Sequence, residues 1–276
     1  MIFLDDTTLL QLLKEDAPYG DLTSRSLRLR GTQGQMRFQA RNPMTVCGVE
    51  EAARLLTLLD CMVDTDCISG DRLESQENIL QAQGDAEQLL LGWKVTQTLM
   101  EWASGVATQA HQLVNAARAV NPQIVIACTR KTIPGTRTLS TKAVLAGGAT
   151  LHRTGLSDSV LLFPEHRNLA EGADILAQQI ATLKQNCPER SVVVEVLNRA
   201  EASEAHRCGA DVLQLEKFTP EQIIELITQL PSHSKVAAAG GITAANVADY
   251  AQTGAQVLVT SAPYYAQPAD VKVTIE

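Results

Sequence analysis

The chain has 276 residues, of which 45% are hydrophobic and 20% are charged, and its formal net charge is −8. This composition is typical of a globular protein and excludes a disordered or fibrous one. The negative balance argues against nucleic acid as the main partner, because neutralising phosphates requires a basic face. We therefore expect no nucleic-acid partner.

The start of the chain, Met1–Asp6, lacks the basic segment and the apolar run of a secretory leader, and no stretch of about 18 apolar residues occurs. Six cysteines include no C-x-x-C pair, and no histidine stands at metal-ligand spacing. This pattern indicates reduced structural thiols. We expect a cytoplasmic protein with no membrane partner.

The first 120 residues predict a mixed unit of helices and strands. Helices are indicated by leucines at helical spacing, and strands by alternating apolar residues. The long helical pattern before Asn121-Pro122 is expected to be interrupted at Ser104-Gly105. The predicted elements are a helix over Thr7–Asp16 capped by Asp5 or Asp6, a strand over Met36–Ala40, a helix over Val49–Leu59, short strands between Ser69 and Ala82, and the helical segment Asp85–Val120.

From Ile124 onward, apolar strand-like runs alternate with helical segments, and the later units recur about every 20 residues, as βα repeats do. This alternation predicts a closed or nearly closed parallel α/β barrel. The predicted strands are Ile124–Cys128, Val160–Phe163, Val192–Val196, Val212–Leu215, Val236–Ala239 and Val257–Thr260, and the predicted helices are Ala170–Leu183, Ala200–Cys208, Pro220–Leu230 and Ala244–Thr253.

A basic segment, Thr129–Arg137, follows the first of these strands and contains three cations around Pro134-Gly135. Buried cations need an anion, so the segment favours a ligand with phosphate or carboxylate groups over a solvated basic loop. A second cationic pair, His152-Arg153, follows the next glycine-rich turn.

Parallel barrels build their active sites at the carboxyl ends of their strands. At these ends we place Arg130 and Lys131, then Glu195, then Glu216-Lys217. The strand Val236–Ala239 ends in Gly240-Gly241, where small residues let backbone N–H groups approach an anion. A tight turn without a ligand is the alternative for these glycines.

Glu195 and Glu216 are carboxylates at a barrel mouth, where unpaired charge is costly. They are either ion-paired with Arg130 or Lys131 as part of the scaffold, or they serve a ligand. As ligand residues they hold Mg²⁺ through water or accept hydrogen bonds from ribose hydroxyls, because Mg²⁺ prefers one or two carboxylates plus phosphate oxygens. Both of these roles require a phosphorylated sugar.

Four ordered motifs resemble those of one family, quinolinate phosphoribosyltransferase, also called nicotinate-nucleotide pyrophosphorylase. The resemblance covers nearly the whole chain. The motifs are Glu15–Ser24, similar to E-D-x3-G-D-x-T-S; Ser104–Thr108, similar to S-G-I-A-T; Thr129–Arg137, similar to T-R-K-T-x-P-G-x-R; and Gly147–Arg153, similar to G-G-G-x-x-H-R.

The resemblance implies a type II phosphoribosyltransferase fold, in which an N-terminal α/β sandwich domain precedes an incomplete parallel α/β barrel. It places the sandwich at residues 1–105 and the barrel at 106–263, with a tail from about 264 to 276 that packs back on the sandwich. It also implies a homodimer in which each active site is shared between the subunits.

By the same resemblance, the enzyme is a glycosyltransferase that transfers the 5-phosphoribosyl group of phosphoribosyl pyrophosphate to a ring nitrogen, releases pyrophosphate and uses Mg²⁺. Cations and Mg²⁺ stabilise the departing pyrophosphate, while a carboxylate stabilises the sugar cation. The implied catalytic residues are Lys131, Glu195 and Glu216, the two glutamates also serving the metal; the implied substrate-binding residues are Lys94, Arg130, His152, Arg153, Phe163, Gly240, Gly241 and Ser261.

The chain departs from the family pattern mainly where the base binds. Lys94 replaces an arginine that reaches a substrate carboxylate across the dimer, so bidentate recognition is lost. Phe163 replaces a site lysine, and together with Trp93 or Trp102 it adds a stacking surface. The resemblance therefore implies a heterocyclic base other than quinolinate. Further departures are Glu216-Lys217 for Asp-Asn, Ala239 for a serine and Ser261–Ala266 for G-x-L-T-H-S.

These departures resemble the ModD subgroup of the family, which is associated with molybdenum transport. Two other readings remain open. One is a non-catalytic oxyanion-binding or regulatory protein on the same fold, supported by Ala239, Ser261 and Glu216. The other is a barrel aldolase that uses Lys131 as a Schiff base. Lys142 and Arg137 are left unassigned, and a surface position is one reading of each.

Overall fold

The computed structural model describes residues 2–169 and 174–276. They form two compact units. The first contains residues 2–111, Thr132–Gly148 and Pro263–Glu276, and the second contains Gln112–Lys131 and the described part of Ala149–Ala262. The domain boundary predicted between residues 105 and 106 falls inside one long helix and remains a prediction.

The elements up to residue 120 follow the predicted order. In chain order they are α1 Asp6–Asp16, α2 Leu22–Ser26, β1 Gln33–Ala40, β2 Met44–Thr45, α3 Val49–Leu58, β3 Met62–Asp64, β4 Arg72–Leu73, β5 Asn78–Asp85 and α4 Ala86–Val120.

The remainder alternates between strands and helices until the last strand. Its elements are β6 Val125–Cys128, α5 Arg137–Ala146, β7 Thr150–Leu151, β8 Val160–Leu162, α6 Pro164–Asn168, α7 Ile175–Asn186, β9 Val192–Val196, α8 Arg199–Arg207, β10 Val212–Glu216, α9 Pro220–Gln229, β11 Lys235–Ala239, α10 Val247–Ala251, β12 Val257–Thr260, a 3-10 turn Ala262–Tyr265 and β13 Val271–Ile275.

The first unit is built on an antiparallel sheet with the strand order β13-β1-β5-β3. Alternate residues of β1, namely Met36, Phe38 and Ala40, point into the core and are almost fully buried. The amphipathic helix α3 adds Leu55 and Leu56 to this core. Sheet and helices therefore share one apolar interior, as an α/β sandwich requires.

Helix α1 begins as its sequence predicts. The side chain of Asp5 accepts a hydrogen bond of 2.7 Å from the backbone N–H of Thr8, which satisfies one free donor of the first turn. Leu9 and Leu13, one helical turn apart, are buried against the core.

Helix α4 is continuous over 35 residues, so the interruption predicted at Ser104-Gly105 is wrong. Gly105 lies where residues 267–268 cross the helix, and a Cβ atom there would be only 2.3 Å from the backbone oxygen of Gln267. Ser104 is buried and accepts a hydrogen bond of 2.9 Å from the backbone N–H of Cys47. These small residues permit close packing within the first unit and do not break the helix.

The second unit contains a parallel sheet of seven described strands in the order β7-β6-β12-β11-β10-β9-β8. Its two edges, β7 and β8, are consecutive in the chain and do not pair, so the barrel is incomplete. Small side chains, Ala237, Ala239 and Val259, pack together in one cluster on this sheet. The predicted α/β fold with an incomplete parallel barrel is confirmed.

All six strands predicted from Ile124 onward are present within one residue of the expected bounds. The predicted helix Ala170–Leu183 is found as α7, Ile175–Asn186, and its predicted residues 170–173 lie outside the described part of the chain. The helix expected over Ala244–Thr253 is shorter, Val247–Ala251.

Lys142, which the sequence left unassigned, is buried. Its Nζ donates hydrogen bonds of 2.8 Å to Oε2 of Glu50 and 2.6 Å to Oε2 of Glu51. Glu50 is also hydrogen-bonded to the backbone N–H of Ser69 at 2.8 Å. Helix α5 is thereby tied to α3 within the first unit. Arg137, the first residue of α5, is exposed.

None of the helices in residues 2–169 and 174–276 is long and apolar enough to cross a membrane. Six free thiols are present in the described chain, which agrees with the interpretation of the cysteines as reduced residues.

Candidate active site

The strand register of the second unit brings the carboxyl ends of its strands into line. Cys128 of β6 pairs with Thr260 of β12 and with Leu151 of β7. Glu216 of β10 pairs with Ala239 of β11. Residues that immediately follow these positions therefore emerge at one edge of the sheet, as predicted for a barrel mouth.

Two glutamates and a glutamine share one face of this sheet near its carboxyl edge. Gln214 pairs with Glu195 across neighbouring parallel strands, and Glu216 follows Gln214 by two positions on the same face. The Gln214 amide donates a 2.7 Å hydrogen bond to Oε2 of Glu195. Both glutamates are half-buried.

The carboxyl of Glu195 has a raised pKa. Burial raises the pKa of this carboxyl, and the negative charge of Glu216 raises it further, against the hydrogen bond from Gln214 and the attraction of Lys131. Among the described residues, no salt bridge joins either glutamate to Arg130 or Lys131. The ion-paired scaffold that the sequence left open is therefore absent from the described chain.

Three cationic or titratable side chains lie near these carboxylates. Arg153 has only 8% of its surface exposed, and burial and the charge of Arg130 lower its pKa, partly offset by the attraction of Glu195. Burial and the charge of Arg153 lower the pKa of His152. Within the described residues, the Arg153 side chain has no ion pair and no hydrogen bond. A buried guanidinium of this kind requires a negatively charged ligand.

Lys131 is exposed and follows the half-buried Arg130. Its backbone N–H donates a 3.2 Å hydrogen bond to the Thr129 hydroxyl, and the Thr129 N–H donates one of 2.9 Å to the carbonyl of Thr260. A hydrogen bond to the last residue of β12 therefore fixes the backbone segment that carries Arg130 and Lys131. The position next to Thr260 is Ser261, which is half-buried.

Gly240 and Gly241 follow β11, and both have a positive φ, +90° and +79°. A Cβ atom on Gly240 would lie 2.7 Å from Cγ of Lys217 and 2.9 Å from Oε1 of Glu216. A Cβ atom on Gly241 would meet no atom within 4 Å. Gly240 is thus needed for the close approach of Glu216, while Gly241 leaves open space for a ligand.

Phe163 directly follows β8, precedes α6 and is half-buried. The guanidinium carbon of Arg153 is 5.4 Å from the centre of its ring, a cation–π contact. The apolar face predicted at this position is therefore directly beside the buried cation.

Lys94 belongs to the first unit and lies on α4. It is exposed, its Nζ is 4.3 Å from the centre of the Trp93 ring, and it donates a 3.1 Å hydrogen bond to Gln97. The other predicted site residues, from Arg130 to Ser261, all belong to the second unit, whose interior geometry joins them.

Sequence reasoning missed two residues that support this site. Gln214 orients Glu195, and Arg167 donates hydrogen bonds of 3.3 Å to the Glu195 carbonyl and 3.1 Å to Glu201. Gln214 was detectable as a polar residue inside an apolar strand. Arg167 gave no such signal, because its contacts depend on where α6 packs.

The described residues contain no group of three or more His, Cys, Asp or Glu side chains that could hold a metal ion. Glu195 and Glu216 nevertheless fit a divalent cation that takes most of its ligands from substrate and water, because their mutual repulsion is relieved by positive charge.

Most of the chain matches two models of one family. Residues 21–104 match the N-terminal domain of quinolinate phosphoribosyl transferase, and residues 106–274 match its C-terminal domain. The chain belongs to the quinolinate phosphoribosyltransferase family. The predicted enzyme class, a phosphoribosyltransferase within the pentosyltransferases, is thereby confirmed.

The relatives within this family carry two kinds of name. A protein of Rhodobacter capsulatus named "Putative pyrophosphorylase ModD" is 55% identical over 92% of this chain and 98% of its own length. A Synechocystis protein named "Probable nicotinate-nucleotide pyrophosphorylase (carboxylating)" is 31% identical over 95% of this chain and 89% of its own. The resemblance to the ModD subgroup is therefore confirmed.

The crystal structure of NadC from Streptococcus pyogenes is similar throughout. It has a TM-score of 0.91 and 25% identity, and the match covers 100% of this chain and 99% of that one. The predicted type II phosphoribosyltransferase fold agrees with this similarity.

Proposed function

We propose that this phosphoribosyltransferase joins the 5-phosphoribosyl group of phosphoribosyl pyrophosphate to the ring nitrogen of a heterocyclic base other than quinolinate and releases pyrophosphate. The observation that carries the proposal is the buried guanidinium of Arg153, which lies near Arg130 and has no anionic partner among the described residues. A site so rich in unneutralised positive charge is suited to a ligand with several negative charges.

Different residues stabilise the two groups that separate in the reaction, the pyrophosphate and the sugar. Arg130 and Lys131 stabilise negative charge that develops on the departing pyrophosphate. Glu195, held by Gln214, faces the positive charge that develops on the sugar carbon as the bond to pyrophosphate lengthens. Mg²⁺, when bound, neutralises pyrophosphate charge, and Glu195 and Glu216 are the residues that would hold it.

The base differs from quinolinate because the cationic contacts on its side are few. Phe163 offers a ring and no donor where the resemblance implies a lysine, and Lys94 offers a single ammonium in place of an arginine fork. A dicarboxylate would therefore leave one acidic group without a strong partner. The similarity to ModD proteins supports a link to molybdenum metabolism as part of the same proposal.

Calorimetric titration with phosphoribosyl pyrophosphate, with and without Mg²⁺, tests the sugar half of the proposal. We expect binding that Mg²⁺ strengthens and that Arg130→Met abolishes. Arg190→Ala is the matched control, because this exposed arginine precedes β9 at the opposite end of the strands. Failure to bind at millimolar ligand, combined with binding of molybdate, would instead support the oxyanion-binding protein.

The site is proposed to be shared in a homodimer. The resemblance to the family supports this arrangement, and the second unit exposes Leu197 directly after β9, at the carboxyl edge of the sheet. Lys94, exposed on α4, is the residue that the partner would contribute.

Subunit mixing tests the shared site directly. Lys94→Ala and Lys131→Ala are each expected to lose activity as homodimers. Random reassociation of the two variants should restore about a quarter of wild-type activity, because half of the dimers are mixed and each has one intact site. No recovery, or a monomer by light scattering, would contradict the shared site while leaving the sugar-binding result intact.

A further inference from the structure

The ring of Phe163 is close to two basic side chains. Its centroid is 5.4 Å from the guanidinium carbon of Arg153 and 5.8 Å from the centroid of His166, whose ring is inclined by 19° to it. Phe163 is half-buried, whereas Arg153 is almost fully buried. The Phe163 ring, which we call the aromatic wall, therefore flanks the Arg153 charge directly.

The backbone and its neighbours hold this ring in place. The N–H of Phe163 donates a 3.0 Å hydrogen bond to Nδ1 of His166, and Pro164 starts helix α6 immediately afterwards. Arg167 of the same helix is bonded to the carbonyl of Glu195 at 3.3 Å. The wall is thus fixed relative to the carboxylate that faces the sugar.

Arg153 and Phe163 favour different parts of a ligand. Arg153 supplies a positive charge that no carboxylate of the described chain neutralises within salt-bridge distance, so it selects an acidic group on the ligand. Phe163 supplies a flat apolar face and no donor, so it favours an aromatic ring and excludes a second carboxylate, which would be stripped of water there.

We propose that the acceptor base is a planar heteroaromatic ring with a single acidic group, which binds Arg153 while the uncharged part of the ring packs on Phe163. This inference rests on the proposed phosphoribosyl transfer and specifies the class of its acceptor. Phe163 is then the residue that discriminates between one acidic group and two.

Direct binding of the base tests the inference without the sugar. Calorimetry would compare pyridine-3-carboxylate with pyridine-2,3-dicarboxylate, which differ by one carboxylate, and would include imidazole-4-carboxylate as a second ring with one acid. For the wild-type protein we expect the single-acid rings to bind at least about tenfold more tightly than the diacid, a factor that corresponds to about 1.4 kcal/mol.

Two substitutions of Phe163 distinguish the effect of an added charge from the effect of losing the aromatic ring. Phe163→Lys adds a cation beside the site and is expected to shift the preference toward the diacid by about tenfold or more. Phe163→Leu removes the ring without adding charge and is expected to weaken all the rings without favouring the diacid. Thermal unfolding of both variants identifies any that fail to fold. If Phe163→Lys does not fold, undiminished binding of the rings by Phe163→Leu contradicts the inference.

The inference is overturned if wild-type protein binds the diacid as well as the single-acid rings, if none of the single-acid rings binds, or if a folded Phe163→Lys variant keeps the wild-type ratio. A parallel titration with phosphoribosyl pyrophosphate reports on the proposed transfer separately. Sugar binding with a failed base pattern would leave the transfer standing and remove only the acceptor class.

Discussion

The Nζ atom of Lys142 lies 2.6 Å from Oε2 of Glu51, and only 8% and 1% of these two side chains are exposed. Glu50 adds a second carboxylate at 2.8 Å. Removing one member of such a buried group leaves uncompensated charge in the interior, which costs more than the loss of an exposed pair.

Lys142→Met should therefore lower the free energy of unfolding by about 3–5 kcal/mol. Lys184→Met is the matched control, because Lys184 pairs with Asp211 at 2.7 Å with 42% of its side chain exposed, and it should cost less than about 1 kcal/mol. Urea denaturation followed by circular dichroism measures both. Equal losses would contradict the buried-charge interpretation.

The acid sensitivity of the fold should depend on Glu50. Burial raises the pKa of this carboxyl, but hydrogen bonds from Lys142 and Ser69 outweigh burial and lower it to about 2, from 4.5. Because the folded-state pKa is the lower one, this contribution to stability is complete above about pH 4.5 and is lost as the pH falls toward 2.

Glu50→Gln should accordingly flatten the acid limb of the stability profile. Urea midpoints of wild type and variant at pH 6 and pH 3 measure the difference, which should shrink at the lower pH. A difference that stays constant between the two pH values would show that the Glu50 charge does not contribute in this range.

Gly105 provides a test in which two effects have opposite signs. Alanine in a helix interior is favoured over glycine by about 1 kcal/mol. Here, however, the added Cβ would meet the Gln267 carbonyl at 2.3 Å, so Gly105→Ala should destabilise the protein by about 1–3 kcal/mol. Gly155→Ala, with no atom within 4 Å of its Cβ, should change little. Thermal unfolding distinguishes the two.

Gly240 and Gly241 allow a matched comparison at the site. Both have positive φ, so alanine strains both backbones similarly, but only Gly240→Ala pushes on Glu216 and Lys217. We expect Gly240→Ala to abolish the Mg²⁺ dependence of sugar-phosphate binding and Gly241→Ala to retain it. The calorimetric titration described above measures this, and equal behaviour would remove Glu216 from the metal site.

The thiols should differ in reactivity. Burial raises the pKa of Cys47 and of Cys128 to about 12, so neither forms appreciable thiolate at pH 8. Cys187 and Cys208 are only half-buried. Labelling of the native protein with a thiol reagent, followed by peptide mass spectrometry, should modify these two first. Early modification of Cys128 would indicate that the β6 end opens to solvent.

The sequence predicted the barrel well because its information is local. The strands from Val192–Val196 to Val257–Thr260 are short and consist mostly of β-branched or other apolar residues. Because parallel strands align their carboxyl ends, placing Glu195 and Glu216 on one edge needed only the order of elements, and the register bears it out.

What the sequence concealed depends on contacts between distant segments. Lys142 gave no sign of burial, since its partners Glu50 and Glu51 are 92 and 91 residues away. Gly105 suggested a helix break, because nothing nearby revealed the crossing chain at Gln267. The strand Val271–Ile275 was also missed, since its partner strand lies near the other end of the chain.

The pairing of β13 with β1 has a consequence for synthesis. Residues 36–40 pair with residues 271–275, which the ribosome makes more than 200 residues later. At a translation rate of about 5–20 residues per second, the edge of β1 that pairs with β13 stays unpaired for on the order of 10–50 s. An unpaired strand edge can pair with another nascent chain and start aggregation. Chaperones should therefore be needed mainly during this interval of translation.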